Sequence, residues 1–238
     1  MKLDNAVVLI TGANRGLGLA FAREALARGA RKVYAAVRNP ASVTLAGVVP
    51  IKLDVTNPED IAAAARECAD VTLLVNNAGI AATGGFLADD AVESAKRHFD
   101  TNVYGIVRMS QAFAPVLAAN GGGAILNVLS IASWVNSPLL GVYAASKSAA
   151  WGVTNGLRHE LRAQKTQVVG MHVGFLDTDL THGFDVPKSS PAVIVARTFD
   201  ALEAGAEEVL ADERTREVKQ GLSADPAVYL QPPLAGRE

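Results

Sequence analysis

Short apolar runs recur along the chain: VVLI at 7–10, VYAAV at 33–37, VPIKL at 49–53, VTLLV at 71–75, AILNVL at 124–129 and VVGMHV at 168–173. Most are continuous rather than alternating, the pattern of parallel strands covered on both faces. Segments of helical length separate them. Residues 17–28 are rich in Ala and Leu, with Arg23 and Arg28 on the polar side. The stretch TNPEDIAAAARECA opens with a capping residue, a proline and early acids, which predicts a helix from about Pro58. Longer helices are expected over roughly 89–119 and 143–164, and another from near Pro191. EEVLADERTREVKQGL reads as a short strand and a polar helix. Strand and helix alternate throughout, so the expected fold is α/β: a Rossmann-like doubly wound parallel sheet of about seven strands with helices on both faces. With no repeat or composition break, residues 1–238 are expected to form a single domain, with a loosely ordered tail from about 224.

Composition narrows the picture. Half of the 238 residues are hydrophobic and 19% are charged, as in a globular protein with a filled interior. A net charge of −2 gives no electrostatic reason to expect nucleic acid or anionic membrane as a partner. The lone cysteine, Cys68, excludes an intrachain disulfide framework and suits a reducing, cytoplasmic setting. It is read as inert, and no metal is expected. The uncharged span between Arg108 and Lys147 is broken by Pro115, three glycines, Asn127, Asn136 and Pro138, so it reads as protein interior rather than a membrane segment.

Gly12, Gly16 and Gly18 lie between the first strand and the first helix, in VVLITGANRGLGLAFARE. Glycines there permit a tight turn and the close approach of a pyrophosphate, whose charge the helix start favours. The spacing is T-G-x-x-x-G-x-G rather than G-x-G-x-x-G. The second strand ends in AAVRNP, with Arg38 where an NAD binder carries an acid, and Arg15 sits in the turn. Two guanidiniums suit a 2′-phosphate, so NADP(H) is expected over NAD(H). The plainer reading makes Arg38 a solvated strand end.

In GVYAASK, Tyr143 and Lys147 stand four apart, on one face of a helix. An unperturbed phenol, with a pKa near ~10, is a poor base at neutral pH. An ammonium at ~4.5 Å and an effective dielectric of ~20 favours phenolate by about 3–4 kcal/mol before desolvation opposes it. The helix start adds to this, so the spacing predicts a lowered Tyr143 pKa. Such a phenol can exchange a proton with a carbonyl oxygen, while Ser130 hydrogen-bonds the same oxygen. Taken singly, the Tyr–Lys pair is common in helices, and Ser130 or Asn102 could equally be a cap.

The chain resembles the short-chain dehydrogenase/reductase family, in its single-domain branch. The resemblance rests on TGANRGLG (11–18), LDV (53–55), NNAG (76–79), TNVYG (101–105), NVLSIAS (127–133), YAASK (143–147) and VGFLDTD (173–179), in the family's order. It implies a catalytic tetrad of Asn102, Ser130, Tyr143 and Lys147. In that family reading Asn102 keeps a water that passes protons towards Lys147, and Lys147 holds the nicotinamide ribose. It also implies cofactor contacts from Gly12, Asn14, Arg15, Gly16, Leu17 and Gly18, from Arg38, and from Asp54 and Val55 at the adenine. Asn76, Ala78 and Gly79 would line the adenosine ribose side, and Val173, Gly174 and Thr178 would complete the contacts, with Thr178 on the carboxamide.

The family's Pro-Gly after the sixth strand is Val173-Gly174 here, which loosens expectations for the substrate loop at about 174–190. Specificity is expected from Ile80 to Phe86, Trp134, Val135, Leu139, Leu140, Phe175 and Leu176. Their apolar character points to a small hydrophobic ketone, aldehyde or alcohol, although any of them could equally pack the core. The expected activity is that of an NADPH-dependent carbonyl reductase, reversible as an alcohol dehydrogenase. A 3-oxoacyl-thioester reductase or a non-catalytic cofactor sensor are the alternatives. By resemblance the protein is expected to be a homo-oligomer, tetramer or dimer.

Overall fold

The six apolar runs become six parallel strands, and Glu208–Leu210 a seventh. The computed structural model of the chain describes residues 1–231, the side chain of Leu180 excepted. The strands are β1 (Val7–Thr11), β2 (Lys32–Val37), β3 (Val49–Lys52), β4 (Leu73–Asn76), β5 (Ala124–Val128), β6 (Gln167–His172) and β7 (Glu208–Leu210). They lie in one sheet in the order β3-β2-β1-β4-β5-β6-β7. The order reverses between β1 and β4, and a crevice opens there at the carboxyl ends of the strands.

Successive side chains of a strand point to opposite faces, so a strand covered on both sides needs an apolar residue at every position. Val8 and Ile10 of β1 pack with Phe21 and Ala25 of α1 (Gly16–Ala27) and with Phe199 and Leu202 of α6 (Pro191–Glu203). Val7 and Leu9 face the other way, towards Ile61 of α2 (Pro58–Glu67) and Met109, Phe113 and Leu117 of α4 (Gly105–Ala119). On that face lies α5 (Gly141–Glu160), and α7 (Glu213–Gly221) follows β7. The start of α2 is as expected: the Asn57 side chain accepts from the Glu59 and Asp60 N–H groups at 2.9 and 3.3 Å.

Two expectations change. Arg28 does not lie on a polar face; only 19% of its side chain is exposed, with the guanidinium over the Phe199 ring and bound to Glu24 and Asp200 at 2.7 and 2.8 Å. Acids on the facing helix allow a cation there. The helix expected over 89–119 is interrupted. After α3 (Ala91–Phe99), residues Asp100–Tyr104 wind as one π-helical turn, in which the Gly105 N–H donates to the Asp100 carbonyl, before α4 begins. The widened turn sets Gly105 so close to Val55 that a β-carbon would meet it at 3.0 Å.

Cys68, at the end of α2, is fully buried, and burial pushes its thiol up to about 12, so it stays protonated at neutral pH. Near the C-terminus Ala227 is buried while Tyr229 and Leu230 are exposed. Residues 232–238 of the expected tail lie outside the described residues.

Candidate active site

The crevice at the strand reversal is a cleft of about 660 Å³. Its floor is built by the turn after β1. The Thr11 hydroxyl accepts from the Asn77 and Ala78 N–H groups at 3.0 and 2.9 Å, tying the end of β1 to the loop after β4. Gly12 and Gly16 have φ of +69° and +52°, left-handed conformations that favour glycine. At Gly18 a β-carbon would stand 2.2 Å from the Gly12 carbonyl oxygen, so no other residue fits. Among the described residues no side chain caps α1, and its first turn holds no acid. Gly16, Leu17 and Gly18 line the cleft with N–H groups that no side chain among the described residues satisfies, an arrangement that suits a pyrophosphate.

At the rim, Asn14 donates to the Ser42 hydroxyl at 3.2 Å, and exposed Arg38 and Asn39 follow β2 with no carboxylate among them. Arg15 reaches across the mouth to Asp179 at 3.2 Å; both are largely exposed, so the pair contributes little stability. The half-buried Asp54 carboxylate accepts from the Thr56 N–H and hydroxyl at 2.9 and 2.8 Å, beside buried Val55. On the far side the Gly174 N–H donates to Asp212 at 2.7 Å, and Thr178 approaches Gly16.

Ser130, Tyr143 and Lys147 share the other end of the cleft. Ser130 caps the short 3-10 turn Ile131–Ser133, accepting from the Ala132 N–H at 3.1 Å. Lys147 is 6% exposed and donates to the Val128 carbonyl oxygen at 2.9 Å, with its ammonium 5.9 Å from the centre of the Tyr143 ring. The expected lowering of the Tyr143 pKa is therefore not found. Burial raises the phenol, and the Ser130 hydroxyl opposes that only in part. Lys147 itself is lowered to about 8, because burial penalises an ammonium that has no carboxylate partner among the described residues. The i+4 spacing put both groups on one face, but the lysine stem leads to β5 rather than to the phenolic oxygen.

Residues 6–187, well over half of the chain, match the family model described as short chain dehydrogenase. The chain belongs to the short-chain dehydrogenase family. A crystal structure of a short chain dehydrogenase from Burkholderia cenocepacia J2315 in complex with NADP is similar over 98% of this chain and 100% of that one, with a TM-score of 0.92 and 39% identity. The NADP-dependent 3-hydroxy acid dehydrogenase of Schizosaccharomyces pombe is 31% identical over 194 residues, 76% of this chain and 75% of that protein. The short-chain dehydrogenase cctT of Talaromyces islandicus is 37% identical over 185 residues, 72% of this chain. The match amounts to 63% of the cctT protein, so the chain spans less than two thirds of that relative's length.

Of the residues that the family pattern selects, all but two line the cleft. Asn76 instead lies on the face of the sheet covered by α5, donating to Asn127 at 2.8 Å, because the strand's alternation turns its neighbour Asn77 to the cleft. Asn102 is fully buried behind the wall. Its side chain grips Ile80, accepting from the N–H and donating to the carbonyl at 2.9 Å each, and donates to Ser146 at 3.0 Å. Ser146 in turn donates to the Tyr143 carbonyl at 2.7 Å. With those bonds made, the Asn102 amide braces the loop and the tyrosine's backbone, and does not face the cleft. Asn39, Ser42 and Asn77 also line it, beyond the residues that the motifs select; the polar residues that follow each strand end are the signal that marks them.

Among the expected specificity residues, Ile80 and Leu176 line the cleft. Trp134 turns away from it and stacks on His172 at 3.9 Å, Phe175 packs on Phe184, and Phe86 and Leu139 are exposed. Ala82 is held by its N–H to buried His98 at 3.1 Å, whose ring meets Tyr143 edge-on.

Proposed function

We propose that this protein is an NADP(H)-dependent reductase of ketones and aldehydes, reversible as an alcohol dehydrogenase. The observation that carries this reading is one cleft shared by an uncapped helix start, two rim arginines, and the group Ser130, Tyr143 and Lys147. Gly12, Asn14, Arg15, Gly16, Leu17 and Gly18 would hold the pyrophosphate and adenosine ribose, with Arg38 at the 2′-phosphate. Asp54 and Val55 would meet the adenine, and Ala78, Gly79, Val173, Gly174 and Thr178 the remainder. NADP(H) is favoured by both guanidiniums and the missing acid, and supported by the NADP complex of the B. cenocepacia relative. When bound, the reduced nicotinamide supplies the hydride.

Tyr143 gives its proton to the substrate oxygen, and its raised pKa keeps that proton in place at neutral pH. Ser130 donates a hydrogen bond to the same oxygen as charge develops. Lys147, mostly charged below about 8, stands on the same wall and would hold the nicotinamide ribose. Ile80, Leu129 and Leu176 give this end apolar walls, which fits a hydrophobic carbonyl substrate. The S. pombe 3-hydroxy acid dehydrogenase and a 3-oxoacyl-[acyl-carrier-protein] reductase of Vibrio cholerae, 31% identical over 190 residues, favour 3-oxo acids or their thioesters as a second reading. We read the protein as a cytoplasmic homo-oligomer, as family resemblance and the buried thiol suggest.

The test is consumption of NADPH and NADH with aryl, alkyl and charged carbonyls. We expect NADPH preferred at least about tenfold, aryl and alkyl ketones preferred over charged ones, and a ~10²–10⁴-fold loss of kcat in Tyr143→Phe. Faster turnover of carboxylate-bearing substrates would favour the second reading. Full activity of Tyr143→Phe would refute both.

A further inference from the structure

We propose that His172 is a positioning residue for Ser130, and that α7 holds it in place through two tryptophans. The inference rests on the reading of Ser130 as the group that steadies the substrate oxygen. His172 ends β6, is fully buried, and sets its Nδ1 3.1 Å from the Ser130 carbonyl oxygen. A carbonyl only accepts, so Nδ1 carries the hydrogen and Nε2 is the bare nitrogen of a neutral ring. The same carbonyl accepts from the Ser133 N–H at 3.0 Å. Ser130 is thus held by its backbone from the side away from the cleft, leaving its hydroxyl on the cleft wall.

Three rings enforce the geometry. Trp134 stacks on the imidazole at 3.9 Å and 20°, and Trp151 stands edge-on to both. From α7, Lys219 lies over Trp134 and Trp151 at 4.8 and 5.7 Å from the ring centres, and pairs with Glu208 of β7 at 3.0 Å. Burial lowers the imidazole to about 3, so one tautomer persists over the working range of pH.

The arrangement is costly. His172 Nε2, Trp134 Nε1 and Trp151 Nε1 are buried without a hydrogen-bond partner among the described residues. An apolar ring at 172 would fill the same place and leave one fewer buried polar atom unpaired. The bond that histidine makes and such a ring could not is the one to Ser130, and this argues for a task other than stability.

Two substitutions separate the roles. His172→Phe keeps a ring for the stack and removes the donor; His172→Asn keeps an N–H where Nδ1 stood and abandons the stack. In steady-state assays with NADPH we expect His172→Phe to lower kcat about tenfold at unchanged KM for NADPH, while His172→Asn stays within about threefold of wild type. Thermal melts should rank them the other way, with Phe more stable than Asn. Activities that follow the order of stabilities would overturn the proposal, as would a wild-type kcat in His172→Phe. Should the Asn variant not fold, Lys219→Met decides the part played by α7: a kcat lowered at least about twofold with a changed tryptophan emission supports it, and an unchanged kcat refutes it. Ser130→Ala in the same assay is the control. If it keeps full activity, the reading of Ser130 has failed rather than the histidine's bond to it.

Discussion

Lys147, which we propose takes part in the reaction, is held against its own preference. Its ammonium is buried on a single carbonyl oxygen, and the drop from 10.5 to about 8 measures that burden. Because the folded pKa is depressed, the unfolded chain binds the proton more tightly between about 8 and 10.5, so stability rises with pH across that window. Below it the full cost stands, ~3 kcal/mol before compensation. We predict that Lys147→Met, without bound cofactor, is more stable than wild type by about 1–3 kcal/mol at pH 7 in urea titrations, yet lacks activity. An unchanged or lowered midpoint would show that the lysine is not strained. Sequence made the members of this site readable, since Ser130, Tyr143 and Lys147 do share a wall. It did not make their contacts readable: the lysine's bond to Val128 joins α5 to β5, a tertiary event that no i+4 rule contains. The exchange of Asn76 for Asn77 at the cleft has a similar origin, in the side to which the last strand residue turns.

The helices divide into those the chain itself defines and those their neighbours shape. Helix α2 is of the first kind: Asn57, Pro58 and two acids mark its start within a few residues. Its cap is therefore separable from function. Asn57→Ala should cost about 1 kcal/mol in urea unfolding and leave kcat and KM as they were, since the residue lies outside the cleft. A loss of activity without loss of stability would contradict that. The segment from α3 to α4 is of the second kind. Its apolar periodicity runs on past Phe99, and nothing local announces the widened turn at Asp100–Tyr104. That turn answers to the approach of Val55 and to the placement of Asn102 against Ile80, both contacts distant in sequence. Such π turns often mark functional places, and this one sits directly behind Tyr143 and Lys147.

At the scale of the whole molecule, acid sensitivity has a named contributor. His172 is neutral when folded and faces Glu208, Lys219 and Arg158. Its depressed pKa means that the unfolded state takes up a proton first as pH falls below about 6.5. Its contribution to stability is complete above that pH and shrinks by about 1.4 kcal/mol per unit on the way towards 3. Wild type should therefore lose stability relative to His172→Phe across pH 6 to 4, measured by urea midpoints at each pH; parallel curves would exclude the histidine as the cause. The strand order, finally, separates the tasks along the gene. The residues we propose for the dinucleotide's phosphates come chiefly from the chain up to β3, whereas those we propose beside the reacting carbon come after β5. Chimeras with a relative, joined near β4, would then inherit their choice of coenzyme from one parent and their choice of alcohol from the other.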